Sequence, residues 1–139
     1  MRPFAALAIF ALSALAAAPA AAGDPAAGER LFGRCTACHM IESPAGETIQ
    51  RGGPTGPNLW GVIGRPAASV DGFRYGEGIT AAGEAGLVWT EAAVANYLRD
   101  PGRFLSEYVG ERVRSNMTYR LRRGGEDVAA YLARFGGES

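Results

Sequence analysis

The chain has 139 residues, 47% hydrophobic and 20% charged, which is enough for one domain with a modest core. Its 14 basic residues, all arginine, balance 14 acidic ones, so no basic field points to nucleic acid as a partner. With two cysteines and one histidine, it cannot supply the four Cys or His ligands of a structural zinc site.

Residues 1–22 read as a secretory signal. Arg2 is a minimal positive start, Phe4 to Leu15 is apolar, and Pro19 precedes the small residues Ala20-Ala21-Ala22. A retained anchor is the alternative, since the apolar stretch is almost long enough to span a bilayer. Its alanine richness and the lack of a polar tether favour cleavage after Ala22. That leaves residues 23–139 as a single periplasmic domain carrying a formal charge of −1.

The first helix is predicted from Pro25 to Arg34, with Asp24 as N-cap and proline in the first turn. Gly28 on it would let another helix approach closely. Next comes Cys35-Thr36-Ala37-Cys38-His39, which holds every cysteine and histidine of the chain. C-x-x-C-H is the attachment pattern of c-type haem. Two thiols on one helical turn can each add to a porphyrin vinyl group, and the adjoining imidazole can then meet the iron. Thioredoxin-like redox chemistry would need a strand–helix–strand context that is missing here. Some fifty Gly- and Pro-rich residues follow; a loop that long is uncommon, but it can wrap a planar cofactor. A second helix is predicted through Glu91, Val94, Tyr97 and Leu98, capped by Thr90 and stopped at Asp100-Pro101. A third begins near Gly125, with Val128, Tyr131, Leu132 and Phe135 on one apolar face.

With His39 as one axial ligand, the second follows by elimination. No other histidine and no lysine exists. Of three methionines, Met1 leaves with the signal and Met40 adjoins His39 on the wrong side of the ring. Met117 remains, on a loop before the last helix, and His/Met is a ligation found in cytochromes c.

The ordered series of motifs resembles class I cytochromes c, and among them the bacterial cytochrome c2 group. It comprises Gly23-Asp24-Pro25-Ala26-Ala27-Gly28, Thr55-Gly56-Pro57-Asn58-Leu59-Trp60-Gly61, Gly64-Arg65, Gly72-Phe73-Arg74-Tyr75-Gly76-Glu77-Gly78, Leu87-Val88-Trp89, Tyr97-Leu98-Arg99-Asp100-Pro101 and Asn116-Met117-Thr118-Tyr119. The resemblance implies an all-α, small class I cytochrome c fold, with three main helices and long loops wrapping one covalent haem c. It implies that the Pro57 carbonyl orients His39, that Arg65, Tyr75 and Trp89 donate toward a buried propionate, and that Tyr97 lies near the Met117 sulfur. Gly28 and Phe32 would pack against Val128 and Tyr131 where the terminal helices cross. The chain departs from the group at Ile79, where a polar asparagine is common, and at Asn116, where lysine is.

Nothing in the sequence forms an active-site constellation: no spare histidine or cysteine could act as base or nucleophile. The expected function is a soluble, monomeric periplasmic carrier of single electrons, not an enzyme. It would run from a quinol-oxidising membrane complex to an oxidase or photosynthetic reaction centre. The alternative is a c-type haem enzyme or gas-binding protein with an open sixth iron site. Arg112, Arg114, Arg120, Arg122 and Arg123 flank Met117 with no acid among them. Together with Arg34 and Arg103 they are expected to form an arginine-rich docking edge for the membrane partners.

Overall fold

A computed structural model describes residues 23–137, so the expected signal, residues 1–22, lies outside the described residues. The first helix, α1 (Pro25–Phe32), starts as predicted, with the Asp24 carboxylate accepting from Ala26 N at 2.9 Å, but ends two residues early. Beyond it the chain keeps turning, and His39 N donates to Cys35 O at 2.9 Å. A short antiparallel hairpin follows, β1 (Ile41–Glu42) and β2 (Thr48–Gln50), pairing Ile41 with Gln50 and Glu42 with Thr48. It is too short for any period-2 signal and was not foreseen, yet Ile41 is fully buried.

The long segment after the hairpin is not all loop. Helix α2 (Glu77–Glu84) lies within it. Its start has no side-chain cap and its sequence carries two internal glycines, so neither capping nor periodicity announced it. The glycines have packing reasons: a Cβ on Gly78 would meet the Arg114 carbonyl, and one on Gly83 the Ala67 carbonyl. Helix α3 (Glu91–Arg99) is capped by Thr90 Oγ1, which accepts from Ala93 N, and buries Val94, Tyr97 and Leu98 as expected.

At Asp100-Pro101 the expected stop is also a start. Asp100 accepts from Arg103 N at 3.1 Å and Pro101 occupies the first turn of α4 (Pro101–Val109), which ends at Gly110 with φ +85°. The described residues thus hold the three expected helices and two more, α2 and α4. The last, α5 (Gly125–Leu132), ends before Phe135, whose ring still packs edge-on against Tyr131 at 5.1 Å.

Helix α5 packs against both α1 and α3, and α4 against both α2 and α3. The α1–α5 crossing is close because Gly28 has no side chain; a Cβ there would stand 2.8 Å from Tyr131 Cβ. Phe32 and Tyr131 meet with ring centroids 5.7 Å apart, and Val128 is buried beside them. Asp24 N donates to the Asp127 carboxylate at 2.8 Å, tying the two helix starts together. No helix among the described residues is long and apolar enough to cross a membrane.

Candidate haem site

The helices and loops enclose a cavity of about 390 Å3, within the size range of cofactor sites. Cys35, Cys38, His39, Arg65, Tyr75, Trp89, Tyr97 and Met117, the full set singled out from the sequence, all border it. Both cysteines are free, Cys35 half-buried and Cys38 exposed. Burial pushes the Cys35 thiol above its ordinary range, opposed by the positive charge of Arg34 and aided by Cys38.

His39 is held from behind. Its Nδ1–H donates to the Pro57 carbonyl at 2.8 Å, which leaves the lone pair on Nε2. Burial lowers the imidazole's affinity for a second proton, and the Pro57 carbonyl partly offsets this. The loop carrying Pro57 is fastened to the Cys35–His39 turn by Gly53 N donating to Thr36 O and Gly56 N donating to Cys38 O. Gly56 lies on the imidazole itself: a Cβ there would stand 2.6 Å from Nδ1.

Arg65 donates to the Trp60 carbonyl at 2.9 Å and the Asn58 carbonyl at 3.2 Å. Burial makes its charge costly, with Tyr75 partly compensating. None of the ion pairs among the described residues involves Arg65. A half-buried guanidinium with only carbonyl partners, bordering an otherwise largely apolar cavity, fits an anionic group entering that cavity. The Tyr75 hydroxyl accepts from Val70 N at 3.0 Å, so its own proton is available to another acceptor. Trp89 is 6% exposed and packs edge-on against Tyr97, with centroids 5.0 Å apart.

Tyr97 connects to the Met117 segment through Ser115. The tyrosine hydroxyl is 3.5 Å from Ser115 Oγ, and that hydroxyl donates to the Met117 carbonyl at 2.9 Å. Burial raises the Tyr97 phenol above its ordinary range, with the Ser115 hydrogen bond opposing. Ile79, from α2, supplies an apolar side chain to the same wall.

Sequence reasoning gave no role to Ser115 or Asn58. Asn58 accepts from Glu42 N and Trp60 N and donates to the Glu42 carbonyl, joining the hairpin to the loop after Pro57. Its contact with the backbone two residues on is an Asx turn, which Pro57-Asn58 could have signalled. Ser115 gave no comparable signal, because its side-chain partner Tyr97 stands on α3, 18 positions earlier in the chain.

Of the arginines expected at the cavity rim, Arg34 lines the cavity, whereas Arg103, Arg112, Arg114, Arg120, Arg122 and Arg123 do not. Arg103 pairs with Glu107 one turn on, at 2.7 Å along α4. Arg120 is 3.3 Å from Asp100, whereas Arg112, Arg114, Arg122 and Arg123 have no ion pair among the described residues. Arg74, not singled out from the sequence, also lines the cavity.

No protein-family model matches the chain. Individual relatives do. Cytochrome c-551 of Roseobacter denitrificans is 51% identical over 135 residues, covering 96% of each chain. Cytochrome c2 of Rhodobacter capsulatus is 49% identical over 118 residues, 84% of this chain and 86% of that one. The structure of ferric cytochrome c-550 from Paracoccus versutus superposes with a TM-score of 0.80 at 45% identity, covering 83% of this chain and 99% of the other.

Proposed function

The chain belongs to the bacterial cytochrome c2/c-550 family, and is thus a non-catalytic periplasmic electron carrier with covalently bound c-type haem; from that premise we propose the residues by which it works. Cys35 and Cys38 would hold the haem through two thioether links, and His39 and Met117 would ligate its iron. The single observation that carries this reading is that His39, with Nδ1 committed to Pro57, and Met117 border the same cavity as the two thiols. When bound, the haem iron supplies a one-electron couple, which thioether ligation in a dry pocket sets at a high potential.

The remaining residues position and insulate. Pro57 fixes the imidazole plane and makes His39 a better donor. Arg65, with Tyr75 and Trp89, receives a propionate and thereby relieves its own uncompensated charge. Tyr97 and Ser115 hold the Met117 segment against the cavity. Arg34, Arg112, Arg114, Arg122 and Arg123 form the edge that meets a membrane-bound redox partner, with quinol-oxidising complex as donor and oxidase or reaction centre as acceptor. Residues 1–22 are the signal, removed after Ala22, and residues 23–139 the working domain.

The test is Met117→Ala. Removal of the thioether should open the sixth position, lower the potential and abolish the far-red sulfur-to-iron charge-transfer band of the ferric protein. An unchanged band and potential would show that another group, or none, occupies that position.

A further inference from the structure

A row of aromatic rings leads from the cavity wall to the surface along α4. Trp89, in the wall, stacks on Phe104 with centroids 6.1 Å and planes 22° apart. Phe104 stacks in turn on Tyr108 at 6.2 Å and 23°. Tyr97, also in the wall, meets Phe104 edge-on at 5.9 Å. All of these separations are within direct aromatic contact. The outermost ring, Tyr108, is 41% exposed.

Packing accounts for the inner rings, which bury apolar area around the cavity. It does not account for a phenol at the outer end. The Phe104–Tyr108 pair at i, i+4 adds little to a helix, and a leucine at 108 would supply as much. A ring that can lose an electron, stacked in line with the cavity and open to solvent, is a different kind of feature.

We propose that Tyr108, Phe104 and Trp89 form an electron relay, whose outer end exchanges single electrons with small radical oxidants in solvent. Nitrogen dioxide is one such oxidant. The radical takes one electron from the Tyr108 phenol and becomes nitrite, while the phenolic proton passes to water. The Tyr108 phenoxyl then draws one electron from ferrous haem in the cavity, by way of Trp89 and across the Phe104 ring, and takes a proton back from water. Phe104 is too hard to oxidise to hold the charge itself and serves as the contact between the other two rings. The radical is reduced, one electron has left the iron and Tyr108 is restored. In the ferric protein no electron arrives, so a second nitrogen dioxide adds to the phenoxyl and leaves 3-nitrotyrosine. The relay rests on haem being in the cavity and is indifferent to which residue is its sixth ligand.

The experiment exposes ferrous and ferric holoprotein to radiolytic nitrogen dioxide, with N-acetyltyrosine amide in the same solution to correct for radical consumed in bulk. Nitration at Tyr108 is measured by peptide mass spectrometry. Corrected nitration should be severalfold lower in the ferrous than in the ferric protein. Phe104→Leu should abolish that difference and Phe104→Trp should keep it. Tyr119, which is 39% exposed and lies on the cavity rim outside the stack, should respond to neither substitution. Equal Tyr108 nitration in the two oxidation states of the unaltered protein overturns the relay, whatever becomes of the variants, and so does protection that survives Phe104→Leu. Failure of the haem assignment itself would be seen separately, as the absence of covalently added haem from the protein's mass.

Discussion

Gly56 leaves room for the His39 imidazole to lie flat against the backbone while Nδ1 reaches Pro57. The replacement Gly56→Ala would put a methyl 2.6 Å from Nδ1. The ring would have to turn off the carbonyl, or the 52–57 loop would have to shift away from the Cys35–His39 turn. Overpacking of this kind costs about 1–3 kcal/mol. Gly56→Ala should therefore lower the urea midpoint and the fraction of protein that matures with haem. A midpoint and haem content equal to the unaltered protein's would show that the loop yields freely and does not set the ring. Gly56 was legible only as part of a motif, because its requirement is set by a side chain 17 positions earlier in the chain. His39, Cys35 and Cys38 were legible directly, because their chemistry fits within one helical turn.

Asp100 does two things at the junction of α3 and α4. One carboxylate oxygen caps α4 through Arg103 N, and the other is 3.3 Å from Arg120, in the segment that follows Met117. The cap should dominate, since exposed ion pairs contribute about 0–1 kcal/mol and caps about 1 kcal/mol. Asp100→Ala should lower the unfolding free energy by about 1 kcal/mol. Asp100→Asn keeps a capping oxygen and should cost much less; equal losses in urea titrations of the two variants would make the ion pair the stronger element. The same junction shows why α4 escaped sequence reasoning. Asp-Pro both disfavours helix before it and initiates one after it, and the local sequence did not separate a stop from a stop followed by a start. Helix α2 escaped for a different reason: its glycines, read as loop, are where other segments press against it.

Over the whole molecule, near-zero net charge conceals an asymmetry. Residues 112–123 hold five arginines and no acid, and of these Arg112, Arg114, Arg122 and Arg123 have no ion pair among the described residues. An uneven field of this kind orients a carrier toward an acidic partner and speeds encounter, with a range of about 10 Å at 0.1 M salt. Reversing the charge of Arg114 and Arg122 should slow association with the membrane partner at low salt, and the difference should shrink as salt is added. Arg120 is a poorer test, because its replacement by an acid would confront Asp100 and disturb α4. The midpoint potential should barely move, since these side chains act through water. An equal loss from reversing Arg134, an exposed residue just beyond α5, would show that total charge matters and the placement of these arginines does not.

The groups the site can offer are written in the amino-acid sequence: one C-x-x-C-H, no lysine, and Met117 as the methionine we propose for the iron. Those conclusions needed only neighbours in the chain and a count of what was absent. The capped helices α1 and α3 and the apolar face of α5 were readable for the same reason, since caps and periodicity are local. Other features needed the folded chain, because they depend on residues far apart. The Tyr97–Ser115 contact, the pairing of Arg120 with Asp100, and the stacking of Trp89 on Phe104 each join separate elements. Such contacts are fixed by how α3 and α4 pack beside the cavity, and packing geometry leaves no periodic trace in the sequence.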